Sequence, residues 1–143
     1  MKRATVLKSG AAALLFAASV QLAFAMPESL PPVQQQGEVT FLSGGVGLDE
    51  STAIKGVMHK YPLVLEFATS RSGANEYVAD VSVQVSDSQG RTVLSTTARG
   101  PFLLAALPNG RYSVIARHDG QTMRRNITIG GSTHIRELFL WST

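Results

Sequence analysis

At 143 residues, with 44% hydrophobic and 16% charged side chains and no cysteine, the chain holds one modest core and excludes disulfide scaffolds, thiolate metal sites and thiol catalysis. Three of its thirteen Lys and Arg, namely Lys2, Arg3 and Lys8, precede residue 26 and none of its ten acidic residues does, which leaves ten of each sign in the remainder. The formal charge of +3 therefore belongs to the first residues, and the usual inference from a basic protein to a nucleic-acid or anionic-lipid partner fails.

Residues 1–25 have the charged head, the apolar stretch from Ala11 to Ala25 and the small-x-small end (Ala23-Phe24-Ala25) of a cleavable secretory signal. The stretch is too short to span a bilayer, which takes roughly 20 predominantly apolar residues. No cysteine follows it to accept a lipid. The expected product is periplasmic or secreted, cut near Ala25 and without stable membrane insertion. Residues 26–38, with Pro27, Pro31, Pro32 and Gln34-Gln35-Gln36, read as a flexible lead-in.

Residues 39–62 read as a glycine-rich turn and one short helix. Ser43-Gly44-Gly45-Val46-Gly47 precedes Asp49, which is placed as a helix N-cap, and Glu50. Ile54, Val57, Met58 and Tyr61 then recur at helical spacing, and Pro62 disfavours a helical Tyr61 and ends the run.

From Leu63 the period changes to two. Leu63, Leu65 and Phe67 share one strand face, and Thr69 to Glu76 read as a loop. Val81, Val83 and Val85 alternate with Ser82, Gln84 and Ser86, and Asp87 to Gly90 turn the chain back into Thr92 to Thr97. Phe102 to Leu107 and Arg111 to His118 follow, then Asp119-Gly120 as a hairpin turn into Gln121 to Ile129, and a last strand from Thr133 to Trp141. The fold expected for residues 63–143 is a mainly β, seven-stranded antiparallel sandwich of immunoglobulin-like type, preceded by the one short helix.

Ala79-Asp80-Val81-Ser82-Val83, Asp87 to Gly90, Gly100-Pro101-Phe102, Leu107-Pro108-Asn109-Gly110-Arg111-Tyr112 and the final hairpin together carry a resemblance over about residues 61 to 141. The succession resembles the carboxypeptidase regulatory-like, transthyretin-like (prealbumin-like) domains of secreted proteins, and the whole chain resembles periplasmic proteins of proteobacteria that bear one. The resemblance implies a scaffold or accessory binding module, sometimes for carbohydrate, with no catalytic residues. The hydroxyisourate hydrolases related to transthyretin end in Tyr-Arg-Gly-Ser, whereas this chain ends Phe139-Leu140-Trp141-Ser142-Thr143, which argues against that activity.

His59, His118 and His134 have no spacing that brings two imidazoles to one metal, so neither a metal site nor a cofactor is expected. The Ser43 to Gly47 loop before a helix has the form of an anion nest, which Asp49 and Glu50 oppose; the two carboxylates are themselves weak candidates for holding a cation. Glu66 and Asp80 are the acids that a carboxylate-based hydrolase would use, although solvent-facing carboxylates are the commoner reading. Tyr112, Phe139 and Trp141, with Phe102, belong either to the core or to an aromatic face for glycan or protein, and Trp141 is the one expected to be partly exposed. The favoured function is a non-catalytic binding or structural module. Its expected partner is a periplasmic protein or a glycan, with Thr133 to Trp141 as an edge strand able to form a homodimer.

Overall fold

The computed structural model describes residues 30–143; the expected signal at 1–25 lies outside the described residues. Strands β1 (Gln34–Gln36) and β2 (Val39–Gly44) lead into helix α1 (Leu48–Val57) and a 3₁₀ turn (Met58–Lys60). Then come β3 (Leu63–Arg71), β4 (Ala74–Tyr77), β5 (Val81–Asp87), β6 (Thr92–Ala98), β7 (Phe102–Ala106), β8 (Gly110–His118), β9 (Gln121–Ile129) and β10 (Ile135–Ser142). The described residues form ten strands, not seven. The seven anticipated runs are β3 and β5 to β10; the additions are β1, β2 and β4.

They form two sheets. One runs β1-β2-β7-β3-β10, with β4 paired to the far half of β3, and the other runs β6-β5-β8-β9. The sandwich is not wholly antiparallel, because β10 lies parallel to β3 from the Ile135–Leu63 pair to the Ser142–Ser70 pair. Periodicity reports which residues share a face but carries no sign of strand direction. The direction is set by the Gly130 to His134 connection, which takes the chain from the β9 sheet to the opposite one.

Two further segments depart from expectation. Gln34–Gln36 is ordered as a strand against β2, and the Gln36 side chain bridges the sheets by donating to the Ser95 carbonyl (2.9 Å) and accepting from its N–H (3.0 Å). Amide side chains that bond backbone across sheets hold a polar stretch that composition reads as loose. The segment from Thr69 to Glu76 is a hairpin, with Ser72 and Gly73 both at positive φ (50° and 82°), as a tight two-residue turn requires.

Between the sheets lies one core, in which Phe41, Leu65, Phe67, Leu103 and Phe139 meet Val83, Val85, Leu94 and Val114. A second, smaller cluster fills the outer side of the larger sheet: Leu42, Val64, Phe102 and Leu104 under Ile54 and Met58 of the helical segment. That is why β3 and β7 are buried on both faces, while β5 alternates buried and exposed. Burying each Leu, Ile or Phe of these clusters contributes about 1.5–3 kcal/mol.

The helix covers only part of its sheet. It begins after Gly47 (φ 86°), with Ser51 N–H reaching the Gly47 carbonyl at 3.1 Å, and Gly47 occupies the N-cap where Asp49 was expected. Asp49 and Glu50 lie inside its first turn, where carboxylates complement the helix dipole. Tyr61 is extended (φ −108°, ψ 132°) ahead of Pro62, as the residue before proline must be.

Candidate interaction surface

Along β10, Phe139 and Trp141 point into the core while Arg136, Leu138 and Leu140 point outward, because strand side chains alternate. Helix α1 packs over β2, β7 and the first half of β3, so among the described residues no helix lies above the outer face of β10 and the end of β3. Leu138 and Leu140 stay 40% and 36% exposed there. Tyr77, from β4, is 58% exposed and rests its ring on Phe102 at 5.4 Å between centroids.

Tyr77 divides two depressions on this face. One, of about 200 Å³, is lined by Glu66, Ala68, Asn75, Tyr77 and Leu138. The other, of about 470 Å³, runs along Val46, Ser51, Lys55, Tyr77 and Pro101, and Val46 and the neighbouring Leu48 are both exposed at its rim. Beneath Leu138 the buried Glu66 carboxylate is ion-paired with the Arg136 guanidinium. That hydrogen bond holds the Arg136 pKa above its ordinary value. The surface is apolar at its centre, with the Glu66 and Arg136 charges paired and the Lys55 ammonium set over the Phe102 ring at 5.9 Å, the composition of a contact patch. β10 is also an edge strand, with β3 as its neighbour on one side.

The aromatic residues singled out from sequence are elsewhere. Tyr112, Phe139 and Trp141 are buried, Trp141 included, so none presents a ring for stacking. Phe67, Phe139 and Trp141 form one aromatic cluster with centroids 5.9 to 6.4 Å apart, and the indole N–H donates to the Gln121 carbonyl at 3.2 Å. Tyr77, the exposed ring that matters, was missed because it falls between the Thr69 to Glu76 run read as a loop and the Val81 strand, where no strand face was assigned.

The acidic candidates are also apart from one another. Asp80, at positive φ (60°), lies in the crossing from β4 to β5 and is not among the residues lining the depression at Glu66. Glu50 folds back to accept the Gly45 N–H at 2.7 Å, and its carboxylate fills the space that a side chain on Gly44 would need; Asp49 is exposed. The Gly45 N–H is thereby occupied by the protein's own carboxylate, which leaves the loop unsuited to an anion.

His59 is exposed on the 3₁₀ turn, His118 packs 5.4 Å from Trp141 beside Asp119, and the His134 Nδ1 lies 2.8 Å from the Tyr61 carbonyl. Among the described residues no three His, Cys, Asp or Glu side chains cluster as metal ligands would. No helix among them is long and apolar enough to cross a membrane.

A third depression, of about 530 Å³, opens at one end of the sandwich among Glu38, Asp87, Arg91 and Tyr112. The Tyr112 hydroxyl donates to the Pro108 carbonyl at 2.6 Å, pinning the start of β8 to the turn before it. Burial, then the nearby Asp87 and Glu38 charges, push the phenol pKa up. Asp87 goes the other way, held low chiefly by the backbone N–H of Arg91. Its carboxylate is saturated by that N–H, the N–H of Gln89 and the Arg91 guanidinium, so the arrangement caps a turn.

Comparison with known proteins gives one family model, the Rhizobiales growth-associated tandem repeat domain, which matches residues 65–136. No curated protein matches the sequence. Among solved structures the chain is similar to the crystal structure of S.CueP, at 17% identity over 55% of this chain and 59% of that one, with a TM-score of 0.36.

Proposed function

The chain belongs to the family of the Rhizobiales growth-associated tandem repeat domain, and from that premise we propose that it is an exported, non-catalytic interaction module that docks through the outer face and free edge of β10. The observation that carries this reading is the pair of exposed leucines, Leu138 and Leu140, on an edge strand whose Phe139 and Trp141 are committed to the core on the other face. The partner is a second copy of the same fold, as the description of the family as a tandem repeat suggests. Antiparallel pairing of two β10 strands extends the larger sheet across both copies and brings their leucines together, removing apolar area from water at about 25 cal/mol per Å².

Finer membership among carboxypeptidase regulatory-like, transthyretin-like sandwiches is supported by the Tyr112 to Pro108 bond, a tyrosine-corner contact of the kind found in immunoglobulin-like sandwiches. Scaffold function and a periplasmic location are part of the same proposal. The opposing reading, hydrolysis by Glu66 and Asp80, has against it that Glu66 is engaged by Arg136 and that Asp80 stands apart.

Light scattering after size exclusion tests the proposal. The wild-type protein is expected to dimerise with rising concentration, and Leu138→Glu to remain monomeric with an unchanged fold. A wild-type monomer at high concentration rules out self-pairing.

A further inference from the structure

The outer face of the smaller sheet is the opposite of the surface just described. Register places Arg117 beside Thr122, Arg124 beside Ile115 and Arg111 beside Thr128, all outward on β8 and β9. The three arginines are exposed, and none of them is in an ion pair among the described residues. Arg111 and Arg117 are six residues apart on one strand, a separation of about 20 Å. The positions between and beside them are uncharged hydrogen-bonding groups such as Ser82, Gln84, Ser113 and Asn126, aligned across β5, β8 and β9.

Arg111, Ser113, Asn126 and Thr128 line a depression of about 360 Å³. The Ser113 Oγ is buried with no hydrogen-bond partner among the described residues. A carboxylate at the rim, Asp87, is spent on Arg91 and the turn N–H groups, and Asp119 at the hairpin tip faces His118. The face thus gathers unneutralised positive charge although the chain beyond residue 25 is formally neutral.

We propose that this face binds an anionic polysaccharide of the uronate class, its carboxylates meeting Arg111, Arg117 and Arg124 and its hydroxyls meeting the Ser, Thr, Gln and Asn side chains between them. Guanidinium forks match carboxylates in geometry as well as charge. A flat strand face suits an extended chain. Single-stranded nucleic acid would call for exposed aromatic rings to stack on, and a membrane surface for bulky apolar side chains to insert. Neither class of side chain is exposed on this face among the described residues; Ile115, its large apolar side chain, is half-buried.

Calorimetric titration of the purified protein with polygalacturonate at low salt tests this, with neutral dextran, single-stranded DNA and phosphatidylglycerol vesicles as comparators. Combined Arg111→Gln, Arg117→Gln and Arg124→Gln should weaken polygalacturonate binding by about tenfold or more, since three charge-assisted contacts go. Lys60→Gln, Arg71→Gln and Arg99→Gln together remove the same charge from exposed positions off this face and should leave binding within about twofold of wild type. Arg124→Gln alone should weaken it in the same direction, which keeps the test valid if the triple variant folds poorly. Equal loss in the two triple variants, no binding by the wild type, or tighter binding of DNA or vesicles than of polygalacturonate would each overturn the proposal. Retention of glycan binding by Leu138→Glu would show the two surfaces to be independent.

Discussion

The buried carboxylate of Glu66 on β3 accepts a hydrogen bond from the guanidinium of Arg136 on β10, seventy residues further along the chain. The pair ties together the two strands that run parallel, at the N-terminal end of β10, where the strand enters the sheet. It also sits directly beneath the proposed docking face, so its loss affects the shape of that face as well as stability.

Arg136→Gln strands the Glu66 carboxylate in a site with little water. The guanidinium is itself half exposed, which moderates the effect, and the expected loss is about 1–3 kcal/mol. Glu66→Gln keeps a neutral acceptor and should cost less. Urea denaturation followed by the fluorescence of Trp141, the chain's one tryptophan and a buried one, measures both. An Arg136→Gln variant as stable as the wild type would show that the pair contributes nothing net.

Tyr112 and Asp87 give stability opposite pH limbs. The phenol pKa is raised above 10.0, so its contribution is complete below pH 10 and is lost as pH rises through the folded value. The Asp87 pKa is lowered below 3.8, so its contribution is present above that value and is lost as pH falls through the lower folded one. Tyr112→Phe should cost about 0.5–1.5 kcal/mol at neutral pH from the lost Pro108 bond, with the gap to wild type narrowing above pH 10. Asp87→Asn, which preserves the accepting oxygen, should flatten the acid limb below pH 3.8. Melting curves across pH check both, and parallel curves for wild type and variants would remove the linkage.

Glycines divide by their surroundings. A Cβ on Gly100, in the turn from β6 to β7, would run into the backbone carbonyl of Gly44 on β2, and Gly100→Ala is expected to cost about 1–3 kcal/mol. Gly56 sits in the last turn of α1 with open space where a Cβ would go, so Gly56→Ala should stabilise by up to about 0.5–1 kcal/mol. Thermal denaturation that ranks the two variants in the reverse order would refute this account of the contacts.

Much of the fold was legible because its signals are local. The Val81, Val83, Val85 alternation, the Gly90 and Asp119-Gly120 turns, the Ile54 and Met58 helical face and the stop at Pro62 each follow from backbone sterics and side-chain period. What escaped depends on distant partners: β1 is ordered by Ser95, and β4 is a strand because it finds the end of β3. Polar sequence alone has no hydrophobic period with which to announce such pairing.

By itself, then, the sequence determined seven of the strand runs and the one short helix, which residues of each share a face, and that packing without disulfides must hold them. Which of two faces is covered is a different matter, because it depends on elements that meet only after folding. Tertiary structure decided that Trp141 and Tyr112 are interior, that Tyr77 and Leu138 are exposed, that β10 runs parallel to β3, and that Arg111, Arg117 and Arg124 share one open face. Both proposed surfaces arise at that level, since a strand's period fixes alternation while only packing against another layer assigns inside and outside.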